Sequence, residues 1–154
     1  MGYITEIRKK IGHDIMFMPA SGGCIIQKNK ILLQRRKDNG TWAMHGGSLE
    51  IGETFEEALY RELKEELNIV PKNPQFINVY SGKELIFTYP NQDRVCAISA
   101  AYLIEEYDGK IKIDQNEVSE VKWFDLENIP INLNPPDVLP IKDIIHYYIE
   151  KKNK

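Results

Sequence analysis

The sequence predicts an α/β protein in which a mixed β-sheet lies between helices that cover both of its faces. Strand-like runs fill most of the first fifty residues and return between residues 75 and 124, and each block is followed by a segment whose apolar residues recur at helical spacing. A chain of 154 residues, 42% hydrophobic and 28% charged, can bury one sizeable core, so one domain spanning residues 1–154 is expected.

Residues 3–7 read as a short strand and 8–14 as a loop around Gly12. Residues 15–27 form a strand with a bulge or kink near Ser21, Gly22 and Gly23. Asn29 and Lys30 then turn the chain into Ile31, Leu32, Leu33, Gln34 and Arg35, completing a hairpin. Asp38-Asn39-Gly40 is a turn signal, and residues 42–52 are a glycine-containing loop.

The first helix is bounded by its own chemistry. Thr54 and Glu57 have the spacing of a capping box, and Phe55, Leu59, Leu63 and Leu67 form an apolar stripe. Asn68 stands where a left-handed residue ends a helix, and Pro71 prevents continuation. Residues 75–81 and 84–89 then read as strands, 90–93 as a turn, and 94–105 as a nearly continuous apolar strand at the centre of the sheet. Residues 107–109 make a further turn, 110–113 a short strand and 117–124 another. After Asn134-Pro135-Pro136, residues 137–151 carry Ile141, Ile144, Ile145, Tyr148 and Ile149 at helical spacing and form a packing helix.

The first helix breaks a local rule. Glu62, Glu65 and Glu66 fall at i, i+3 and i+4, converge on one face, and crowd the last turn, where the helix dipole favours cations. Converging carboxylate oxygens are what a hard divalent cation such as Mg²⁺ or Mn²⁺ needs, completed by water and phosphate oxygens. Three clustered Glu residues alone would read as solvated surface, but their neighbours stand at fixed offsets. Gly47 is followed after five residues by Glu53, and after seven more by Arg61-Glu62-Leu63; one residue on come Glu65-Glu66, then Ile69. This resembles the Nudix box, with Asn68 in place of a glycine and His45 where the family usually has proline before Gly46 and Gly47.

The resemblance covers roughly residues 15–130 and implies the Nudix fold, an α/β/α sandwich. It also implies a metal-dependent hydrolase that cleaves a phosphoanhydride bond in a nucleoside diphosphate linked to another moiety. On that reading Glu62, Glu65 and Glu66 with the Gly46 carbonyl hold Mg²⁺, or Mn²⁺. Arg61 pairs with Glu53 to orient the site, Glu117, or secondarily Glu120, supplies a further ligand or the general base, and a helix carboxylate such as Glu62 or Glu65 is the alternative base, family members differing in which one serves. Arg35, Trp42 and Tyr80 are candidates for substrate contact, with Phe87 and Tyr89 as further aromatic surfaces; a core role competes in each aromatic case. ADP-sugars, dinucleoside polyphosphates, coenzyme A and oxidised nucleotides all stand as substrates, because residues outside the box separate them.

A net charge of −3 offers no general attraction to nucleic acid or to an anionic membrane, so a polyphosphate ligand must be received through metal and a few local cations. Cys24 and Cys96 lie in apolar runs and suggest no disulfide framework. No stretch is apolar and long enough to span a bilayer, and a cytoplasmic protein is expected. A homodimer through an exposed edge strand is compatible with the pattern. A non-catalytic nucleotide-binding or sensor module would be expected to lack one of the box carboxylates, and all four are present.

Overall fold

The computed structural model describes residues 2–154. Three helices, α1 (Tyr3–Ile11), α2 (Phe55–Leu67) and α3 (Val138–Lys152), surround an eight-stranded mixed sheet. Its main path runs β10 (Val118–Asp125), β2 (Lys30–Arg36), β1 (Met16–Gln27), β8 (Arg94–Ile104) and β6 (Gln75–Tyr80). Three short strands attach to this path: β3 (Trp42–Ala43) on β2, β4 (His45–Ser48) on β1, and β7 (Ile86–Thr88) on β8.

The sheet has a core on each face. Ile25, Leu32, Ala100, Tyr102 and Ile104 pack against Leu59, Leu63 and Leu67 of α2. Cys24, Ile26, Leu33, Ala101 and Leu103 pack against Ile141, Ile144 and Tyr148 of α3. This is the expected α/β/α sandwich.

The central pair is β1 and β8, parallel from Met16↔Val95 to Ile25↔Ile104. No bulge interrupts β1 in this register; the glycines instead mark where its other edge changes partner, from β4 at Ala20–Gly23 to β2 at Ile25–Gln27. Gly46 shows why glycine is needed there. Its φ is 150°, and a Cβ would collide with the Ser21 carbonyl oxygen and lie 2.6 Å from the Gly22 Cα. The β1–β2 hairpin turns through Lys28 and Asn29 at φ 52° and 61°, the backbone sign that a two-residue turn of this kind requires.

Further expectations are corrected, among them the strand over 84–89, of which Lys83–Leu85 is a 3₁₀ turn and only Ile86–Thr88 pairs in the sheet. Residues 3–7 form α1 rather than a strand: Ile4, Ile7, Arg8 and Ile11 share a helical face, and Gly12 ends the helix at φ 64°. Residues 42–52 are not wholly loop, since β3 and β4 lie in the sheet. Glu106–Asp108 is β9, paired with β5 (Val70–Lys72) in a separate two-stranded ribbon, so the turn falls at Gly109. Residues 110–113 form no strand. Their backbone closes the end of α2 instead, with Lys112 N–H donating to the Leu67 carbonyl (2.9 Å) and Asp114 N–H to that of Glu66 (3.1 Å). Ile111 and Ile113 still pack on the α2 core, which explains their strand-like alternation.

Candidate active site

α2 is held in place by its ends. The Thr54 hydroxyl accepts from Glu57 N–H (3.0 Å), and the Glu57 carboxylate accepts from Thr54 N–H (2.9 Å). At the other end Asn68 takes the left-handed conformation at φ 61°. So fixed, α2 presents Glu62 and Glu66 to the start of β10, and one oxygen each from Glu62, Glu66 and Glu117 lie within 4.8 Å of one another. Glu65 lies outside this group; half exposed, it reaches Arg61 at 3.5 Å. Glu120 also points elsewhere, pairing with Arg35 at 3.3 Å.

Glu66 is the buried member. Its Oε1 accepts from Gly46 N–H (2.9 Å) and its Oε2 from Gln34 Nε2–H (3.2 Å), while Gln34 also donates to the Met44 carbonyl (2.9 Å). These donors are neutral. Burial, followed by the charge of Glu62, therefore pushes the Glu66 carboxyl up to about 8. Burial likewise raises Glu62, against the opposing pull of Arg61. Gly47 packs against Glu62 so closely that a Cβ there would sit 2.5 Å from its Oε1.

Arg61 organises the rest. It donates to Glu53 through Nε (2.7 Å) and Nη2 (2.9 Å), to the Ser48 carbonyl (3.0 Å), and to Glu62 (2.9 Å). The bond from Arg61 holds Glu53 below the usual carboxyl range, and Glu53 also accepts from Glu50 N–H (2.7 Å). One guanidinium thus ties the helix, the loop before it and the end of β4 into a single unit.

Beside this cleft, and sharing Gly46 with it, lies a cavity of about 350 Å³. Met18, Leu85, Phe87 and Val95 give it apolar walls, and Arg36, Tyr89, Asn134 and Asp137 give it polar ones. Met44 N–H (3.1 Å) and the Asn134 amide (3.4 Å) both donate to Asp137 Oδ2. Burial nevertheless raises the Asp137 carboxyl to about 6. Arg36 pairs with Asp38 (2.7 and 2.8 Å) and lies 5.5 Å above the Tyr89 ring.

The three residues expected to touch substrate sit elsewhere. Arg35 is engaged with Glu120 and the Gly40 carbonyl, and its neighbour Arg36 lines the cavity instead. Trp42 is buried, edge-on to Phe124 at 4.9 Å. Tyr80 is buried in the α3 core, its hydroxyl donating to Asp143 (2.7 Å). Both aromatics are core residues.

Gln34, Asn134 and Asp137 were not anticipated. A polar residue inside the run Ile31–Leu33 was the signal for Gln34, and the polar residues flanking Pro135-Pro136 were the signal for the other two. His45 is fully buried at the start of β4 and its Nε2–H donates to the Leu32 carbonyl (3.1 Å), with burial lowering its pKa to about 4.

Comparison with known proteins accords with this geometry. The family model for the NUDIX domain matches residues 16–147. The ADP-ribose pyrophosphatase of Methanocaldococcus jannaschii is 39% identical over 115 residues, covering 72% of this chain and 63% of that protein. The NAD-capped RNA hydrolase NudC of Vibrio atlanticus is 33% identical over 133 residues, covering 82% of this chain and 44% of the relative. The chain therefore spans 63% of the length of the first of these relatives and 44% of the second, less than two thirds of either. A MutT NUDIX hydrolase crystal structure from Burkholderia pseudomallei superposes with a TM-score of 0.72 at 22% identity, covering 84% of this chain and 98% of that one. With its box on a capped helix, its glycine strand and a family match over most of its length, this chain belongs to the NUDIX family.

Proposed function

We propose that this chain is a metal-dependent pyrophosphohydrolase acting on a nucleoside diphosphate linked to another moiety. The observation that carries the reading is the convergence of Glu62 and Glu66 of α2 with Glu117 of the loop before β10, beside a glycine strand that also borders a cavity. Hard oxygen donors of this kind fit Mg²⁺ or Mn²⁺, and a buried carboxylate held only by neutral donors fits a cation better than it fits solvent.

A bound divalent cation supplies charge neutralisation for the phosphate oxygens and acidifies water. The chain's own residues do the rest. Gly46 N–H and Gln34 fix both oxygens of Glu66, so that it serves as a rigid ligand. Arg61 orients Glu62 and leaves Glu65 as an outlying partner. Glu117 is the exposed member of the trio, so it is the group placed to take the proton from the attacking water. The neighbouring cavity receives the nucleoside, with Phe87 and Tyr89 as aromatic surface and Asp137 Oδ1 as a free acceptor for a base N–H.

The names of the relatives make ADP-ribose and NAD-capped RNA the first compounds to test, alongside nucleotide sugars and dinucleoside polyphosphates. Hydrolysis should require Mg²⁺ or Mn²⁺ and yield two phosphorylated products, and Glu66→Gln should lower the rate ~100-fold, the scale of metal-site losses. Metal-free turnover, or an unchanged rate in that variant, would refute the proposal.

A further inference from the structure

We infer that α1 is a specificity-determining wall of the nucleoside cavity, seated by the Glu50 side chain; this rests on the placement of the nucleoside given above. α1 lies outside the segment matched by the family model, which begins at residue 16. It is not a packing helix in the ordinary sense, because none of its residues is fully buried. Its inward face instead turns toward the cavity, which Ile4 and Arg8 line.

The helix is pinned at both ends, like a strap laid across one side of that cavity. At its start, Tyr3 N–H donates to Glu50 Oε1 (2.8 Å), and the fit is close enough that a Cβ on Gly2 would lie 2.8 Å from the other Glu50 oxygen. A carboxylate against the first turn of a helix also meets the positive end of its dipole. At the far end, Arg8 donates to the carbonyls of Gly12 (3.0 Å), Asp14 (2.6 Å) and Arg94 (2.7 Å). His13 adds a contact to Asp93 at 2.7 Å. Asn91 and Asp93, in the turn that receives this end, also line the cavity. The strap therefore runs from the loop before α2 to the turn before β8.

Glu50 has two separable attachments. Its side chain holds α1, whereas its backbone N–H holds Glu53, the partner of Arg61. Replacing the side chain therefore releases the wall and leaves the bond to the carboxylate network in place. Glu50 is thus a positioning residue that acts on the ligand through Ile4.

The test is steady-state kinetics with Mg²⁺, using whichever nucleoside diphosphate compound the wild type turns over fastest, together with Mn²⁺ binding by calorimetry. Glu50→Ala should raise KM ~10-fold, the loss of a charge-assisted hydrogen bond, with kcat and Mn²⁺ affinity within ~3-fold of wild type. Glu50→Gln keeps an oxygen that can accept from Tyr3 N–H and should hold KM within ~3-fold of wild type. Ile4→Ala should raise KM ~5-fold by removing apolar wall. An unchanged KM in both alanine variants, or a fall in kcat or Mn²⁺ affinity without a rise in KM, would overturn the inference while leaving the proposed hydrolysis standing. A wild type that hydrolyses no nucleoside diphosphate compound would overturn both.

Discussion

Stripped of metal, the protein should lose stability between pH 7 and pH 9, and Glu66→Gln should remove most of that loss. Glu66 is 6% exposed, and burial pushes its carboxyl from an ordinary 4.5 up to about 8. A folded-state value above the unfolded one means that the native protein holds a proton the unfolded chain has released. The resulting stabilisation is fully present below about pH 4.5 and is lost as pH rises through about 8. Asp137, raised from 3.8 to about 6, follows the same sign at lower pH; His45, lowered from 6.5 to about 4, follows the opposite sign and loses its contribution on acidification. Both have essentially finished titrating by pH 7, so the loss above it comes from Glu66 and, with the same sign, Glu62 and the buried Cys24 thiol, which burial raises well above its ordinary value; only the part that Glu66→Gln removes belongs to Glu66. Over those two pH units a carboxyl at about 8 forfeits about 1–2 kcal/mol, or roughly 3–6 °C in melting temperature for a chain of this size. Glu66→Gln also sacrifices a hydrogen bond, because a Gln amide facing both Gly46 N–H and Gln34 can accept from only one of them without a donor meeting a donor. The comparison must therefore be of slopes rather than absolute stabilities. Urea unfolding in chelator at pH 7, 8 and 9 measures them, and Mn²⁺ should flatten the wild-type profile while leaving the variant unmoved. A level wild-type profile, or an equal slope in the variant, would show that Glu66 is not an uncompensated buried carboxyl.

Arg61→Ala should weaken Mn²⁺ binding ~10–100-fold by releasing Glu62 and Glu53 together, and Arg61→Lys should recover little, because one ammonium cannot reproduce the two-pronged contact with Glu53; calorimetric titration reads both. Asn68→Gly should leave the unfolding free energy within ~0.5 kcal/mol of wild type, whereas Asn68→Ala should lower it by ~1 kcal/mol through the left-handed backbone at φ 61°; equal urea midpoints for the two variants would contradict this account.

The parts of the molecule that could be read in the sequence are those set by local chemistry. The capping box at Thr54 and Glu57, the Asn68 terminus and the apolar stripe of α2 each follow from a few neighbouring residues, and the structure reproduces them. The central place of β8 followed from its nearly continuous apolar run. What depended on distant partners was harder to read. Residues 110–113 alternate like a strand, but whether they pair with one is decided by the unmet carbonyls of α2, far away in sequence. Residues 3–7 read as a strand when taken alone; the helical face appears only when the window extends to Ile11 and Gly12, and the contact that seats its start is with Glu50, forty-seven positions away. Trp42 and Tyr80 have the size and chemistry to hold a base; it is the packing of Phe124 and the position of Asp143 that commit them to the core.

The same distinction explains why the carboxylate trio is not the one that helical spacing suggests. Residues i, i+3 and i+4 share a face, yet Glu65 lies on the side occupied by Arg61, while Glu117 arrives from the loop before β10 to face Glu62 and Glu66. Periodicity within a helix places side chains on a surface; which of them meet depends on what the rest of the chain brings to that surface. Here it brings another acid. Arg36 and Lys37 line the cleft, but Arg36 is committed to Asp38, Arg61 is shared between Glu53 and Glu62, and the hydrogen bonds that Glu66 accepts come from the neutral donors of Gly46 and Gln34. Had the cluster been selected for stability alone, a Lys or an apolar residue in place of Glu117 would relieve the repulsion without orphaning the donors that Glu62 and Glu66 satisfy. The retained excess of negative charge, aimed at a glycine backbone beside a cavity of nucleoside size, is accounted for when the missing charge comes from a divalent ion and its phosphate ligand.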